Sequence, residues 1–310
     1  MNTKRVGWAY LWMTIAFVAI SLFVSFFIPD MGIGMTALLS ELCLLVPVLG
    51  FLFMGRVGIR EQLHLKGIKL STLLMVFVFH ICTYPVVIAM NAFTMAITGD
   101  NAAMDITSQF DGESFFVIWL FVGVIGPLVE EFVFRGVLLG GLRTTGRIIA
   151  PTIISALLFG LIHMNINQFS YTLCMGIFWG LLIEASGSIV STTVCHMTMN
   201  SFSILMAYLL EKGLGDFEEI LAAGQSEVTA VSYVVTGLGF LFISIFTSAL
   251  AILMLKVISI NEGRTGCFEN IFRKRLPAEK HGRLITIPLI AGMAIAAGFM
   301  LAFLFIDLFL

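Results

Sequence analysis

The chain is expected to fold as an all-α, polytopic transmembrane helical bundle of about eight to nine spans with a cytoplasmic N-terminus. Three observations carry this reading. Of its 310 residues, 59% are hydrophobic and 12% charged, against about 25% charged in soluble domains. Its apolar segments are long enough to cross the hydrocarbon core, which takes about 20 residues. Its basic residues collect between alternate segments, as the positive-inside rule requires.

The elements follow in order. Segment 7–28 runs unbroken between Lys4-Arg5 and Asp30. It is too long for a signal-peptide core and lacks a small-residue cleavage site, so it reads as a retained anchor. Segment 33–55 ends at Arg56, and segment 70–98 begins just after Lys69. Segment 115–142 ends at Arg143, and Arg147 precedes segment 148–165. Segments 169–186 and 188–210 are parted by Ser186-Gly187-Ser188, a turn with room for little else. Segments 229–255 and 285–308 flank the polar stretch 256–284, read as a basic cytoplasmic loop near anionic headgroups.

Charge supports the order. With the N-terminus inside, all of the 17 Lys and Arg except Lys212 and Arg135 fall on inner segments. The outer loops are acidic, with Asp100, Asp105, Asp111 and Glu113, then Glu211, Asp216, Glu218, Glu219 and Glu227. The whole chain, 1–310, is expected to be one integral membrane domain with its chemical core at 115–210, placed in the cell membrane (a bacterial plasma membrane). Basic residues in short loops form no stripe of the kind that binds nucleic acid, so the bilayer itself is the partner. The cysteines Cys43, Cys82, Cys174, Cys195 and Cys267 form no C-x-x-C pair, and neither a disulfide framework nor a thiolate metal site is indicated.

Three polar fragments interrupt the apolar segments: Glu130 to Arg135, Phe159 to His163, and His196 to Asn200. A single charge at a helix centre costs roughly 2.5–3.5 kcal/mol on insertion scales. Such groups face a protein-lined or wet interior and mark functional sites. Helix rise puts Glu130 about 20 Å, His163 about 24 Å, and His196 and Asn200 about 14 and 20 Å from the cytoplasmic end, so the fragments can converge. Glu131 and Arg135 are four apart with the acid first, the favourable order for a pair. Glu130 points about 100° away and is left facing the interior. His196 and Asn200 share one edge. Gly126-Pro127, one turn before Glu130, can kink the helix beside it.

A carboxylate beside an imidazole can hold and deprotonate water, and N–H donors from another helix can stabilise the oxyanion formed on a carbonyl. That inventory fits amide hydrolysis without a Ser or Cys nucleophile. Cys195 adjoins His196 but faces another direction.

The ordered motifs Glu-Glu-x-x-x-Arg-Gly (Glu130, Glu131, Arg135, Gly136), Phe-x-x-x-His (Phe159, His163) and His-x-x-x-Asn (His196, Asn200) resemble those of the CPBP family. These are CAAX-protease and bacteriocin-processing intramembrane proteases, also called Abi proteins, similar to type II CAAX prenyl endopeptidases. The resemblance implies a membrane endopeptidase with a cavity open to the cytoplasm. It makes Glu130 and His163 the water-activating pair, His196 and Asn200 the oxyanion hole, and Glu131 and Arg135 their supports. Its substrate would be a membrane-associated peptide or lipidated protein, prenylated or of the bacteriocin type. Members are often labelled metalloproteases; Glu130, His163 and His196 are the candidate zinc ligands, and a metal-free glutamate base fits equally. Glu184-Ala-Ser-Gly-Ser departs from the family, where an aromatic or basic residue is expected before the turn.

Plainer readings apply elsewhere. His80 is expected to be a buried, hydrogen-bonded structural residue. His64 and His281 lie in basic loops, and Glu41 has no assigned role. Gly213-Leu214-Gly215-Asp216 copies an aspartyl-protease motif in an acidic outer loop and reads as a chance match. No His-Glu-x-x-His or Gly-x-Ser-x-Gly occurs. The rival class is a transporter or proton channel relaying through the same charges, or an inactive protease-like scaffold.

Overall fold

The computed structural model describes all residues except 57, 59–62, 100–111, 214–228, 273–281 and 310. Asp100, Asp105, Asp111, Asp216, Glu218, Glu219, Glu227, Arg60, Arg273, Lys274, Arg275, Lys280, His281 and all but the first residue of the Gly213–Asp216 match therefore lie outside the described residues.

The described residues form helices and no strand. They are α1 (Thr3–Phe27), α2 (Ile33–Met54), α3 (Leu70–Thr98), α4 (Phe115–Arg143), α5 (Ile149–Ile162), α6 (Ile166–Ser186), α7 (Ile189–Gly213), α8 (Ala230–Asn261), the short α9 (Cys267–Phe272) and α10 (Ile287–Phe309). Each expected span has its helix, and the chain is an all-α polytopic bundle. Among the described residues, 7 helices are long and apolar enough to cross a membrane. The two expected spans outside that set are α5 and α7. With 14 residues, α5 rises only about 21 Å, short of the roughly 30 Å core. Although α7 has 25 residues, it carries Thr192, Thr193, His196, Asn200, Ser201 and Ser203. Both are dictated by the interior rather than by lipid.

Packing is built around α4 and α6. Along most of its length α3 pairs with α8, while α1 packs between α2 and α10, and α5 lies against α6. The α5–α6 contact is close because Gly176 and Gly180, four residues apart, face Ala156 and Thr152, also four apart. A Cβ on Gly176 would stand 2.8 Å from the Ala156 Cβ, and one on Gly180 2.5 Å from the Thr152 Cγ2. Small residues at this spacing let membrane helices approach backbone to backbone. That contact fixes His163, just past the end of α5, relative to Trp179 on α6.

Local chemistry sets the helix ends. Asn165 caps α6 by accepting from the Gln168 N–H at 3.0 Å. Met164 before it takes a positive φ of 51°, so the chain reverses within three residues. At the other end Gly187 adopts φ 73° and returns its N–H to the Ile183 carbonyl at 2.8 Å; the left-handed conformation favours glycine there. The inner turn is then tied down. Glu184 pairs with Arg143 at the end of α4 and lies 3.8 Å from Arg264, whose Nε donates to the Glu184 carbonyl at 2.9 Å. Glu184 thus supplies the anion joining these ends of α4 and α6 to the α8–α9 connection.

Candidate active site

The site begins with an irregularity in α4. Two stretches of this helix, Trp119–Ile125 and Glu131–Leu138, are π-helical, separated by the α-helical turn Gly126–Glu130. Pro127 lacks the N–H that an α-helix would direct to Gly123, so the preceding turn widens rather than closing normally. Glu130 stands at the junction where the second wide stretch begins. The sequence signal for this was Gly126-Pro127, which predicted a kink; the structure answers with a widened helix.

Glu131 and Arg135 are fully buried, at 0% and 1% exposure. Their Oε1 and Nη1 face each other at 3.1 Å without the alignment of a hydrogen bond. The guanidinium is held instead by aromatic faces, its Cζ 4.1 Å from the Phe159 ring centre and 5.0 Å from that of Trp179. A desolvated cation over such rings is worth about 2 kcal/mol or more. Phe159 is the hub of this arrangement. Its ring meets His163 edge-on at 4.9 Å and His196 at 5.8 Å, while Trp179 stacks on His196 at 4.2 Å.

These contacts orient two imidazoles, and their hydrogen bonds assign the protons. Nδ1 of His163 lies 2.7 Å from the Phe159 carbonyl oxygen. A carbonyl only accepts, so Nδ1 carries the proton and Nε2 a lone pair. Nδ1 of His196 lies 3.1 Å from Oε1 of Glu131; beside Arg135 this carboxylate accepts, so Nδ1 carries a proton. Both Nε2 atoms face Glu130, at 3.8 Å from its Oε1 for His163 and 3.5 Å from its Oε2 for His196. The spacings are too long for direct hydrogen bonds and suit one bridging water.

The trio opens onto a cavity of about 320 Å³ whose lining includes Glu41, Tyr84, Tyr171, Trp179, Met199 and Asn200. Asn200 shares the His196 edge as expected, but one amide N–H is already engaged: Nδ2 donates to the Val122 carbonyl at 2.9 Å. That carbonyl belongs to the first π-helical stretch. Cys195 is fully buried, in keeping with the reading that it is no nucleophile. His80 is buried as expected, yet its Nδ1 has no hydrogen-bond partner, and its ring packs edge-on against Tyr84. The hydrogen-bonded role expected for it is corrected on that point.

The donor types of Glu130, His163 and His196 are those zinc takes, and the Nδ1 hydrogen bonds are of the kind that orient ligating histidines. Among the described residues, however, no group of three or more His, Cys, Asp or Glu is placed to hold a metal ion.

Residues 112–202 match the family model described as type II CAAX prenyl endopeptidase Rce1-like. The Rce1-like segment contains all six site residues and ends just past Asn200. "Membrane-embedded CAAX protease MroQ" of Staphylococcus aureus (strain USA300) is 33% identical over 101 residues, which is 30% of this chain and 40% of that protein. YdiL of Bacillus subtilis (strain 168), provisionally named a membrane peptidase, is 26% identical over 83 residues, 27% of this chain and 34% of YdiL. The chain thus matches less than half the length of either relative. No solved structure matches it. Outside the Rce1-like segment, sequence reasoning left without a role Glu41, Tyr84 and the loop residue Leu63. Nothing in their spacing marked them, because each reaches the core from a separate helix or loop.

Proposed function

We propose that this chain is an intramembrane endopeptidase that hydrolyses a peptide bond with a water held by Glu130, His163 and His196. The Rce1-like match and the names of the two relatives support membrane proteolysis. One observation carries the chemistry: the Glu130 carboxylate and the Nε2 atoms of His163 and His196 face one another at 3.5–3.8 Å, on the wall of a cavity.

In this reading the bridging water gives one hydrogen bond to Glu130 and one to His163 Nε2, which aims its lone pair into the cavity. Glu130 takes the proton as the oxygen adds to the peptide carbonyl carbon. In this reading His196 is an imidazolium from the outset: its Nδ1–H stays on Glu131, which stabilises it much as the acid of a catalytic triad does, and its Nε2–H donates to the oxyanion. The second N–H of Asn200, not engaged by Val122, supplies a further donor. Arg135 neutralises Glu131 and keeps it ionised in a low-dielectric interior. Substrates are peptides or lipidated proteins that reach the cavity from the bilayer, with the N-terminus and the Arg143–Glu184–Arg264 cluster on the cytoplasmic side.

The test uses purified full-length protein in lipid vesicles with internally quenched peptides, with and without a prenyl group. Cleavage mapped by mass spectrometry, and abolished by Glu130→Gln, is expected. Proton or ion flux that Glu130→Gln blocks, with no peptide cut, would replace this reading with transport.

A further inference from the structure

Glu41 lies on α2, outside the Rce1-like segment, and no motif includes it. It lines the same cavity as Glu130 and is only 9% exposed. Its Oε2 is buried with no hydrogen-bond partner. A Cβ added to Gly126 would lie 3.3 Å from its Oε1. Gly126 and Glu130 are the two ends of one α-helical turn, so they share a face at roughly 6 Å. The Glu41 carboxyl group therefore stands about one helical turn from the Glu130 carboxylate, across the cavity wall.

Two carboxylates here would be a costly pair. Among the described residues Glu41 has no ion pair, and Arg135 is already committed to Glu131. A buried charge without a counter-ion is strongly disfavoured, and a neutral carboxyl group is not. The neutral form carries an O–H whose acceptor must come from the cavity contents. Peptide hydrolysis needs such a donor. The leaving amine is a very poor anion, and Glu130, having just taken the water proton, faces the attacking oxygen. In glycoside hydrolysis two carboxyl groups divide acid and base work in this way.

We infer that Glu41 is the general acid that protonates the leaving nitrogen, an assignment that rests on the endopeptidase reading above. Water adds its oxygen to the carbonyl carbon and loses a proton to Glu130. The C–N bond then breaks while the Glu41 O–H passes its proton to nitrogen, releasing an amine and a carboxylic acid. Glu130 is left protonated and Glu41 ionised. A proton moving from Glu130 to Glu41 through cavity water restores both, and no other reactant is consumed.

The experiment compares a peptide anilide with an aryl ester of the same acyl sequence, because phenolate leaves without protonation. Wild type, Glu41→Gln and Glu130→Gln are assayed as full-length protein in vesicles. In Glu41→Gln, an isosteric neutral replacement, the ratio of anilide to ester kcat/KM is expected to fall by about 10²–10⁴, the usual worth of a positioned acid. An unchanged ratio, whether both activities persist or both drop together, overturns the assignment. A second measurement needs no variant. Across anilides of graded amine basicity the wild-type rate is expected to vary little, and a steep dependence also overturns it. Wild-type protein that cleaves neither substrate would instead bring down the endopeptidase reading itself, and full activity of Glu130→Gln would bring down its assignment of Glu130.

Discussion

Nδ1 of His196 lies 3.1 Å from Oε1 of Glu131, the same oxygen that faces Arg135 at 3.1 Å. One carboxylate oxygen thus orients an imidazole on α7 and neutralises a cation on its own helix. This relationship ties the supporting pair to the site: altering Glu131 removes the anion that holds the Nδ1–H of His196. Glu131→Gln is expected to lower kcat by about 10³–10⁴ with little change in KM, as when the orienting acid of a triad is amidated. Steady-state kinetics on a cleaved peptide checks this. A loss confined to KM would separate Glu131 from the chemistry.

Arg135 is caught between the Phe159 and Trp179 rings with an ionic partner and no exposure. Arg135→Ala leaves Glu131 charged and buried, which typically costs about 3–5 kcal/mol. The variant is expected to melt well below the wild type in a detergent thermal scan. Arg135→Lys is expected to recover only part of that loss, because an ammonium cannot stack as a guanidinium does. Full recovery by Lys would show that charge alone matters here.

Gly136 completes the first motif, and the structure gives it a packing reason. A Cβ there would run into Cδ2 of Leu63, which is 3% exposed and comes from the connection between α2 and α3. Gly136→Ala is expected to destabilise by about 1–3 kcal/mol through overpacking. Combining it with Leu63→Ala should cost less than the sum of the two single changes. Additive losses in thermal melts would refute that coupling.

How much of this was legible beforehand differs by level. The helix segments were legible because hydrocarbon thickness forces long apolar runs, and α1, α2, α3, α8 and α10 follow them closely. Glu130, Glu131, Arg135, His163, His196 and Asn200 were legible because polar groups in such runs are costly, and the structure brings all six to one region. The π-helical stretches of α4 were not, since the same residues can form either ladder and packing decides between them. Nor was the engagement of Asn200 by Val122, which exists only because the first wide turn offers a carbonyl. Glu41 was visible as a buried acid, but its nearness to Glu130 depends on how α2 crosses α4. Phe159 stood in a motif, yet its role as a platform for Arg135 and both imidazoles is a matter of three helices at once.

The widened turn makes its own prediction for Asn200. Asn200→Ala removes both the cavity-facing N–H and the donor to the Val122 carbonyl. Loss of the proposed oxyanion donor is expected to lower kcat by about 10²–10³. Asn200→Asp keeps an acceptor but no N–H, and should be no better than Ala. An Asp variant with near-normal turnover would remove the amide from the chemistry and leave it a purely structural bond.

Glu262, just beyond α8, offers a test away from the membrane interior. Its Oε1 accepts from the Thr72 hydroxyl at 2.6 Å and the Lys69 N–H at 2.9 Å, and Lys66 lies 3.9 Å from Oε2. Burial alone would raise its proton affinity, but these donors and the nearby Lys66 and Lys69 charges outweigh it and hold the carboxyl below its ordinary 4.5. A carboxyl depressed in the folded state contributes stability above its unfolded value, and that contribution is lost as pH falls through the folded value. The clasp between α3 and the end of α8 is therefore expected to be intact at neutral pH and to weaken below about pH 4.5. Melting temperatures measured from pH 7 down to pH 3 should fall for the wild type. For Glu262→Gln they should start lower and fall less over the same interval. Parallel curves for the two proteins would show that Glu262 contributes nothing to the acid response.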